Sequence, residues 1–365
     1  VEVVLVDGRT TFVERVRLHE DVAGTVRTET PFERVLDGTG ATFRLGWASE
    51  VDLGARRLRF ADASTEPFDD LVLATGSTAS RPSIPGVEHA HSCTTREDAT
   101  LLVRRLEEVR GGRVIVIGGG LTGIELATEL AERRTDLRMT LVTAGDVAAA
   151  ESEGARAYVR SALGALGVEI HENARVAACE RDAVVLVDGT SLPADIVVWA
   201  GGMQASPVGA QAGIAVDVNG RALVEEHLRS TTHPFVRVVG DAALVTVPGP
   251  AGEAQALRMA CATALPLGAY AADDLASELA GRESAPFRFA YAAHCVSLGR
   301  RRGLVQRVDA WDRAEPLHLR GRPAAWFKEG ICRFAAFSVA AARRGLHYRW
   351  PKPRLTNAPR ALATS

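Results

Sequence analysis

Residues 113–127 read Arg113-Val114-Ile115-Val116-Ile117-Gly118-Gly119-Gly120-Leu121-Thr122-Gly123-Ile124-Glu125-Leu126-Ala127, and this stretch decides the fold. Apart from Arg113, its first five residues are β-branched. A short apolar run of that kind, closed by glycine, reads as a buried parallel strand. From Ile124 to Glu132 apolar residues recur at helical spacing among strong helix formers, so a helix follows. Between the two stands Gly118-x-Gly120-x-x-Gly123, in the strand–turn–helix context where this otherwise weak motif marks a dinucleotide site. Gly118 permits the tight turn, Gly120 lets the backbone approach a pyrophosphate, and Gly123 lets the helix lie against the strand. The whole turn, with Gly119, Leu121 and Thr122, presents the positive end of the helix to the anion.

The flanking sequence completes an α/β unit: a strand at 139–142, a helix at 154–166, a strand at 168–170, a β-meander at 175–192, and a buried strand from Asp195 leading to Gly201-Gly202. The acid expected about 20 residues beyond the glycines, where it would hold a ribose diol, is absent. Thr143 ends that strand, Asp146 follows three residues on, and no Arg stands there to clasp a 2′-phosphate. The pattern mildly prefers NADH over NADPH.

Three further apolar runs end in special residues. Residues 3–6 end at Asp7, Leu71–Leu73 at Ala74-Thr75-Gly76, and residues 236–239 at Gly240-Asp241. Strands of a parallel sheet point their carboxyl ends at a ligand crevice. Asp7 reads either as a ribose ligand or as a turn-forming Asp-Gly pair, and Asp241, beside a glycine and the start of a helix, as a carboxylate for a polyol chain. The predicted fold class is α/β: two nested Rossmann-like domains of three-layer ββα type plus a small C-terminal α+β region. The expected boundaries are 1–86, an inserted nucleotide domain at 87–218, a return to the first domain at 219–285, and the C-terminal region at 286–365. A helix is expected over 257–279, kinked at Pro266, then short strands at 295–299, 303–306 and 316–319, and a helix at 324–344.

With 365 residues, 47% hydrophobic and 24% charged, the chain holds two or three packed domains. A net charge of −2 argues against a nucleic-acid partner, which needs a basic excess. No apolar run reaches the roughly 18 residues of a membrane span, and no basic-then-apolar leader opens the chain, so the expected location is cytoplasmic, with the inner face of the membrane as the alternative. The five cysteines (Cys93, Cys179, Cys261, Cys295, Cys332) are odd in number and lack close pairs. They read as buried reduced thiols, with no disulfide framework, redox dithiol or metal site expected. From Ile331 onward there is no acid, while Arg333, Arg343, Arg344, Arg349, Lys352, Arg354 and Arg360 are basic. Trp326, Phe327, Ile331, Phe334 and Phe337 fall mostly on one helix face. That face could rest on an anionic membrane, face the core, or form a homodimer contact.

The order Asp7, Ala74-Thr75-Gly76, Gly118-Gly119-Gly120, Ala200-Gly201-Gly202, Gly240-Asp241 resembles the FAD-dependent pyridine nucleotide-disulfide oxidoreductases. Gly-Gly-Leu-Thr-Gly-Ile-Glu-Leu-Ala at 119–127, with no redox disulfide and a basic amphipathic C-terminus, is most similar to type II NADH dehydrogenases. The resemblance covers roughly residues 1–285. It implies FAD at Asp7 (adenine ribose), at Ala74, Thr75 and Gly76 (pyrophosphate), and at Gly240 and Asp241 (ribityl chain). It places NAD(P)H on Gly118 to Gly123, with Thr143, Gly201 and Gly202 around it. Glu125 takes the position of a carboxylate near the nicotinamide–flavin cleft; the plainer alternative is a Glu that only favours the helix dipole. Two departures stand out. The family's first strand, glycine turn and helix, which precede the Asp7 position, are missing, so weak or absent FAD binding or a truncated start is expected. The Ala-Gln-x-Ala quinone motif is replaced by Ala260-Cys261-Ala262-Thr263-Ala264. The resemblance implies hydride transfer from NAD(P)H to FAD and then to a small-molecule acceptor, quinone or another. The alternatives are a soluble ferredoxin or rubredoxin acceptor, or a non-catalytic nucleotide-binding protein. Arg17 and His19, in the charged 12–20 segment, read either as reaching the flavin edge or an acceptor, or as a solvated loop.

Overall fold

A computed structural model describes residues 1–80, 82–342 and 348–352. The 113–127 stretch folds as its pattern predicts: strand Arg113–Ile117 runs into helix Leu121–Arg133. The strand is the second of four parallel strands, in the order Ile196–Trp199, Arg113–Ile117, Arg138–Val142, Glu169–His171. Its interior position explains its composition. Val114, Ile115 and Val116 are almost wholly buried because helices or a second sheet cover both faces. Helices Arg96–Glu108 and Leu121–Arg133 contribute Ala99, Leu102, Leu106, Ile124, Leu126, Ala127 and Leu130 to one core. The antiparallel meander Val176–Cys179, Ala183–Leu186, Ser191–Pro193 closes over the other face through Val176, Val184 and Leu186. Each fully buried Leu or Ile contributes about 2 kcal/mol.

The other unit carries two separate parallel pairs. Val4–Asp7 pairs with Thr42–Leu45, and Leu71–Leu73 with Val236–Val238, with no ladder joining the pairs among the described residues. An antiparallel sheet of Ala48–Asp52, Arg57–Phe60 and Thr65–Pro67 packs beside them through Val51, Leu58 and Phe60. The chain passes between the units along Ser77–Ala79, antiparallel to Met203–Ala205.

Three expectations are corrected in detail. Asp241 does not open an α-helix: Gly240–Ala242 is one 3-10 turn followed by the short strand Ala243–Leu244. The long helix begins at Cys261, because residues 257–260 are irregular, and it runs through Pro266 to Leu279 as one element. Nor are all the thiols buried, since Cys261 is exposed and Cys295 half-buried. The C-terminal region is a sheet of Ala293–Ser297, Gly303–Val308 and Ala314–Arg320, with helix Arg322–Ala342 packed across it. A Cβ on Gly303 would lie 2.7 Å from the Ala325 nitrogen, so glycine sets that close approach. Arg343, Arg344, Arg354 and Arg360 lie outside the described residues.

Candidate active site

The glycine turn has the geometry of an anion cradle. Gly118 has φ +130°, and a Cβ there would sit 2.4 Å from the Ala200 carbonyl oxygen. A Cβ on Gly123 would sit 2.0 Å from the Gly118 oxygen, so only glycine lets this helix dock. Gly120, by contrast, opens on free space. The first helical bond runs from Ile124 N–H to the Gly120 oxygen, which leaves the N–H groups of Leu121, Thr122 and Gly123 ahead of it. Gly120 caps the helix with no side chain, and no described residue comes within 4 Å of where its Cβ would stand. Thr143 packs beneath Gly119 and is buried. Asp146 is turned to Arg156 at 2.8 Å. Gly201 lies against the Trp199 ring, and Gly202, at φ +136°, accepts the Ser80 N–H.

The strand ends of the other unit converge in part. Ser77 Oγ donates to Asp241 Oδ2 at 2.6 Å, and Arg15 donates to the Ser77 carbonyl oxygen at 2.9 Å. Arg15 also stands 3.9 Å from Asp241 and presses on Gly76, which has φ +65°. Ala74 and Thr75 lead directly into this point, and Gly240, at φ +66°, turns Asp241 toward it. The second oxygen of Asp241, Oδ1, is buried with no hydrogen-bond partner among the described residues. An orphaned acceptor at a strand end fits a hydroxyl donor such as a ribityl chain. Asp7 lies on the other strand pair and accepts the Arg9 N–H at 2.8 Å. Trp47 packs over the adjacent Gly8, with Arg9 stacked on its ring.

Beneath the glycine turn lies a cluster of buried charge. Glu125 is only 7% exposed, and it does not turn back to the helix N-terminus. Its Oε1 accepts the Lys328 ammonium at 3.0 Å and the Ser297 N–H at 2.9 Å, and its Oε2 lies 3.9 Å from His19 Nδ1. Lys328 is itself buried and also donates to the Cys295 carbonyl oxygen. Burial alone would push the Glu125 carboxyl upward, but Lys328, His19 and the Ser297 N–H bring it below the ordinary carboxylate range. The same pairing outweighs burial at Lys328 and raises its pKa. One helical turn on, Glu129 bonds Ser297 Oγ at 3.0 Å and faces Arg300 at 3.5 Å, and burial pushes it up to about 7. Arg17 joins Glu20 at 2.8 Å and forks onto Glu329, and Arg300 reaches Glu20 at 2.9 Å. Burial pushes His19 down. His19, Glu20 and Glu129 bring ligand-type atoms within 4.8 Å of one another, with Arg17 and Arg300 supplying positive charge there.

Arg17 and His19 are therefore not a solvated loop; both are 4% exposed and belong to this cluster. Sequence reading missed Arg15, Glu20, Glu129, Ser297, Arg300, Lys328 and Glu329. One signal was available for Lys328: all but two of the chain's 43 Lys and Arg residues are Arg. The core-facing reading of the last helix is overturned. Trp326 (70% exposed), Phe327, Ile331, Phe334 and Phe337 all point outward, while Ala324, Lys328 and Cys332 point in.

Residues 1–264 match the family described as pyridine nucleotide-disulphide oxidoreductase. The chain belongs to this family. It is similar to an NADH dehydrogenase-like protein of Mycobacterium tuberculosis, 29% identical over 349 residues, covering 91% of this chain and 85% of the relative. It is also similar to a demethylphylloquinone reductase of Synechocystis, 26% identical over 316 residues, covering 82% of this chain and 77% of the relative. Among solved structures, NDH2 from Plasmodium falciparum shares the fold at TM-score 0.74 and 13% identity, covering 96% of this chain and 95% of that one. The protein is an FAD-dependent NAD(P)H oxidoreductase with two Rossmann-type units. The free N–H groups at Leu121 to Gly123 fit the pyrophosphate of NAD(P)H, and the orphaned Asp241 oxygen fits the flavin's ribityl chain.

Proposed function

We propose that this oxidoreductase delivers electrons to a quinone-type acceptor held at the edge of a bilayer, and that Glu125 and Lys328 serve the acceptor side of the reaction. When bound, the nicotinamide supplies a hydride and the flavin passes its electrons onward. The chain's own residues position and protect. The turn Gly118 to Gly123, with Thr143, Gly201 and Gly202 around it, holds the dinucleotide. Asp7, Ala74, Thr75, Gly76, Gly240 and Asp241 hold the flavin, with Arg15 between Gly76 and Asp241. NADH is preferred over NADPH, since no Arg directly follows the strand that ends at Thr143. A quinone gains two protons with its two electrons. Lys328 Nζ, whose raised pKa keeps it protonated, supplies positive charge and N–H donors to the acceptor while the protons come from solvent, and Glu125, ionised beneath the glycine turn, holds that ammonium in place.

One observation carries the choice of acceptor. The helix whose inner face sends Lys328 to Glu125 leaves Trp326, Phe327, Ile331, Phe334 and Phe337 exposed on its outer face. Such a face suits a lipid surface, and no helix among the described residues is long and apolar enough to cross a membrane. The test uses the full chain supplied with FAD. NADH oxidation should depend on a short-chain quinone, and the protein should float with phosphatidylglycerol vesicles. Trp326→Ser with Phe334→Ser should abolish flotation while sparing NADH binding. Turnover with a ferredoxin but not with quinone, or a chain that stays in the supernatant, refutes the reading.

A further inference from the structure

Away from the dinucleotide cradles, a cavity of about 470 Å³ opens at the seam between helix Glu153–Ala165 and the C-terminal region. Tyr158, Ser161, Ala162 and Ala165 form one wall, and Arg301, Arg302, Gly321 and Arg322 the other. Its size is that of small-molecule sites, about 300–1,000 Å³. Its lining contains no carboxylate. Arg320 adds a further guanidinium, 5.9 Å from the centre of the Tyr158 ring. The Tyr158 hydroxyl accepts the Gly321 N–H at 3.0 Å, which leaves its own proton free to donate.

Three other arginine groups in this protein are matched by acids. Arg17 and Arg300 meet Glu20 and Glu329, Arg156 and Arg160 meet Asp146 and Glu172, and Arg229 and Arg237 meet Asp274 and Glu278. Here Arg301, Arg302, Arg320 and Arg322 gather with no ion pair to any described residue. Guanidinium groups repel one another, and a group of them around one hollow is stabilised by an anion that accepts several forked hydrogen bonds at once. We propose that this cavity binds a phosphate ester or polyphosphate, with Arg301, Arg302, Arg322 and the Tyr158 hydroxyl acting as donors and Arg320 adding positive charge beside the Tyr158 ring. The bound anion ties the nucleotide-binding unit to the C-terminal region. It presses on the same 299–302 turn whose Arg300 holds Glu20 and Glu129.

Titration calorimetry of the full chain, with saturating NADH to occupy the glycine turn, tests this with inorganic pyrophosphate as the probe. The expected result is binding that weakens with salt and falls about tenfold or more in Arg302→Gln/Arg322→Gln. Tyr158→Phe should weaken it by a smaller factor. Arg333→Gln, an exposed position paired to Glu329 outside the cavity, should bind as the wild type does. A second arm uses phosphatidylcholine vesicles with and without phosphatidylglycerol. If pyrophosphate does not bind but capture by the anionic vesicles is lost in the double variant, the phosphate belongs to a lipid headgroup and the assignment stands. If neither probe binds, or the double variant matches the wild type with both probes, the proposal is overturned.

Discussion

Replacing Glu125 by Gln keeps an acceptor for the Ser297 N–H but strands the Lys328 ammonium. At 3.0 Å the Glu125–Lys328 attraction is worth about 5 kcal/mol at an effective dielectric of 20. Part of that only offsets the desolvation of two groups that are each less than a tenth exposed. Lys328 retains the Cys295 carbonyl at 3.2 Å. The expected loss on Glu125→Gln is therefore about 3 kcal/mol, at the lower end for a broken buried pair. Lys328→Met should cost a similar amount, because Glu125 would then be buried with only the Ser297 N–H and a distant His19. The double variant removes both charges and should cost clearly less than the sum of the singles, with a coupling of about 2–3 kcal/mol. Urea unfolding at neutral pH reads all four corners through the midpoint, provided the slope is unchanged. Additivity to within about 0.5 kcal/mol would refute the claim that these residues act as one buried unit.

The glycine turn gives a contrast between two neighbouring positions. Gly123→Ala forces a methyl against the Gly118 oxygen and should lower stability by at least about 2 kcal/mol. Gly120→Ala should leave the melting temperature unchanged and weaken NADH binding by about tenfold or more, since its methyl projects into the open cradle; unchanged affinity would count against that cradle. His294 is buried between Glu151 and Asp312, each at 2.8 Å, and although burial opposes its charge, those two bonds hold its pKa up at about 9. Its contribution of about 3 kcal/mol is then complete below the unfolded value near 6.5 and is lost as the pH rises through about 9. A His294→Asn variant should be less stable at pH 6 and show a flatter stability profile between pH 7 and 9.5; an unchanged profile refutes the assignment.

The parts of this fold legible in sequence are those encoded locally. A strand such as Arg113–Ile117 declares itself because the burial of Val114 to Ile117 on both faces demands four β-branched residues in a row. The glycines after it declare themselves because no Cβ fits at Gly118 or Gly123. The same logic located Gly76, Gly240 and Asp241 at strand ends, but it could not place Arg15 between them. Nothing in residues 12–20 says which way a guanidinium turns, and that is settled by Ser77 and Asp241, far along the chain. Arg17 and Glu329 are likewise 312 positions apart. Hydrophobic periodicity reports which face of an element is covered; it carries no record of which acid answers which base. It even misleads at helix Arg322–Ala342, where the aromatic stripe looks outward and a lysine looks in.

That inversion bears on how the last 80 residues relate to the reaction. Glu20, Glu125 and Glu129 are each at least 93% buried, and three carboxylates so placed are tenable only with cations at hand. Arg17 supplies one from the N-terminal segment, but it is shared with Glu329. The others, Lys328 and Arg300, come from the C-terminal region, as does the Ser297 N–H that fixes Glu125. The inserted unit thus carries acids on the helix of its glycine turn whose partners lie some 170 to 200 positions downstream. A sheet and helix that share so little sequence pattern with the nucleotide-binding units are nonetheless electrostatically required by them, because charge, unlike apolar surface, must be answered one group at a time. Any account of electron delivery that stops at the two Rossmann-type units leaves Glu125 without the cation that defines its state.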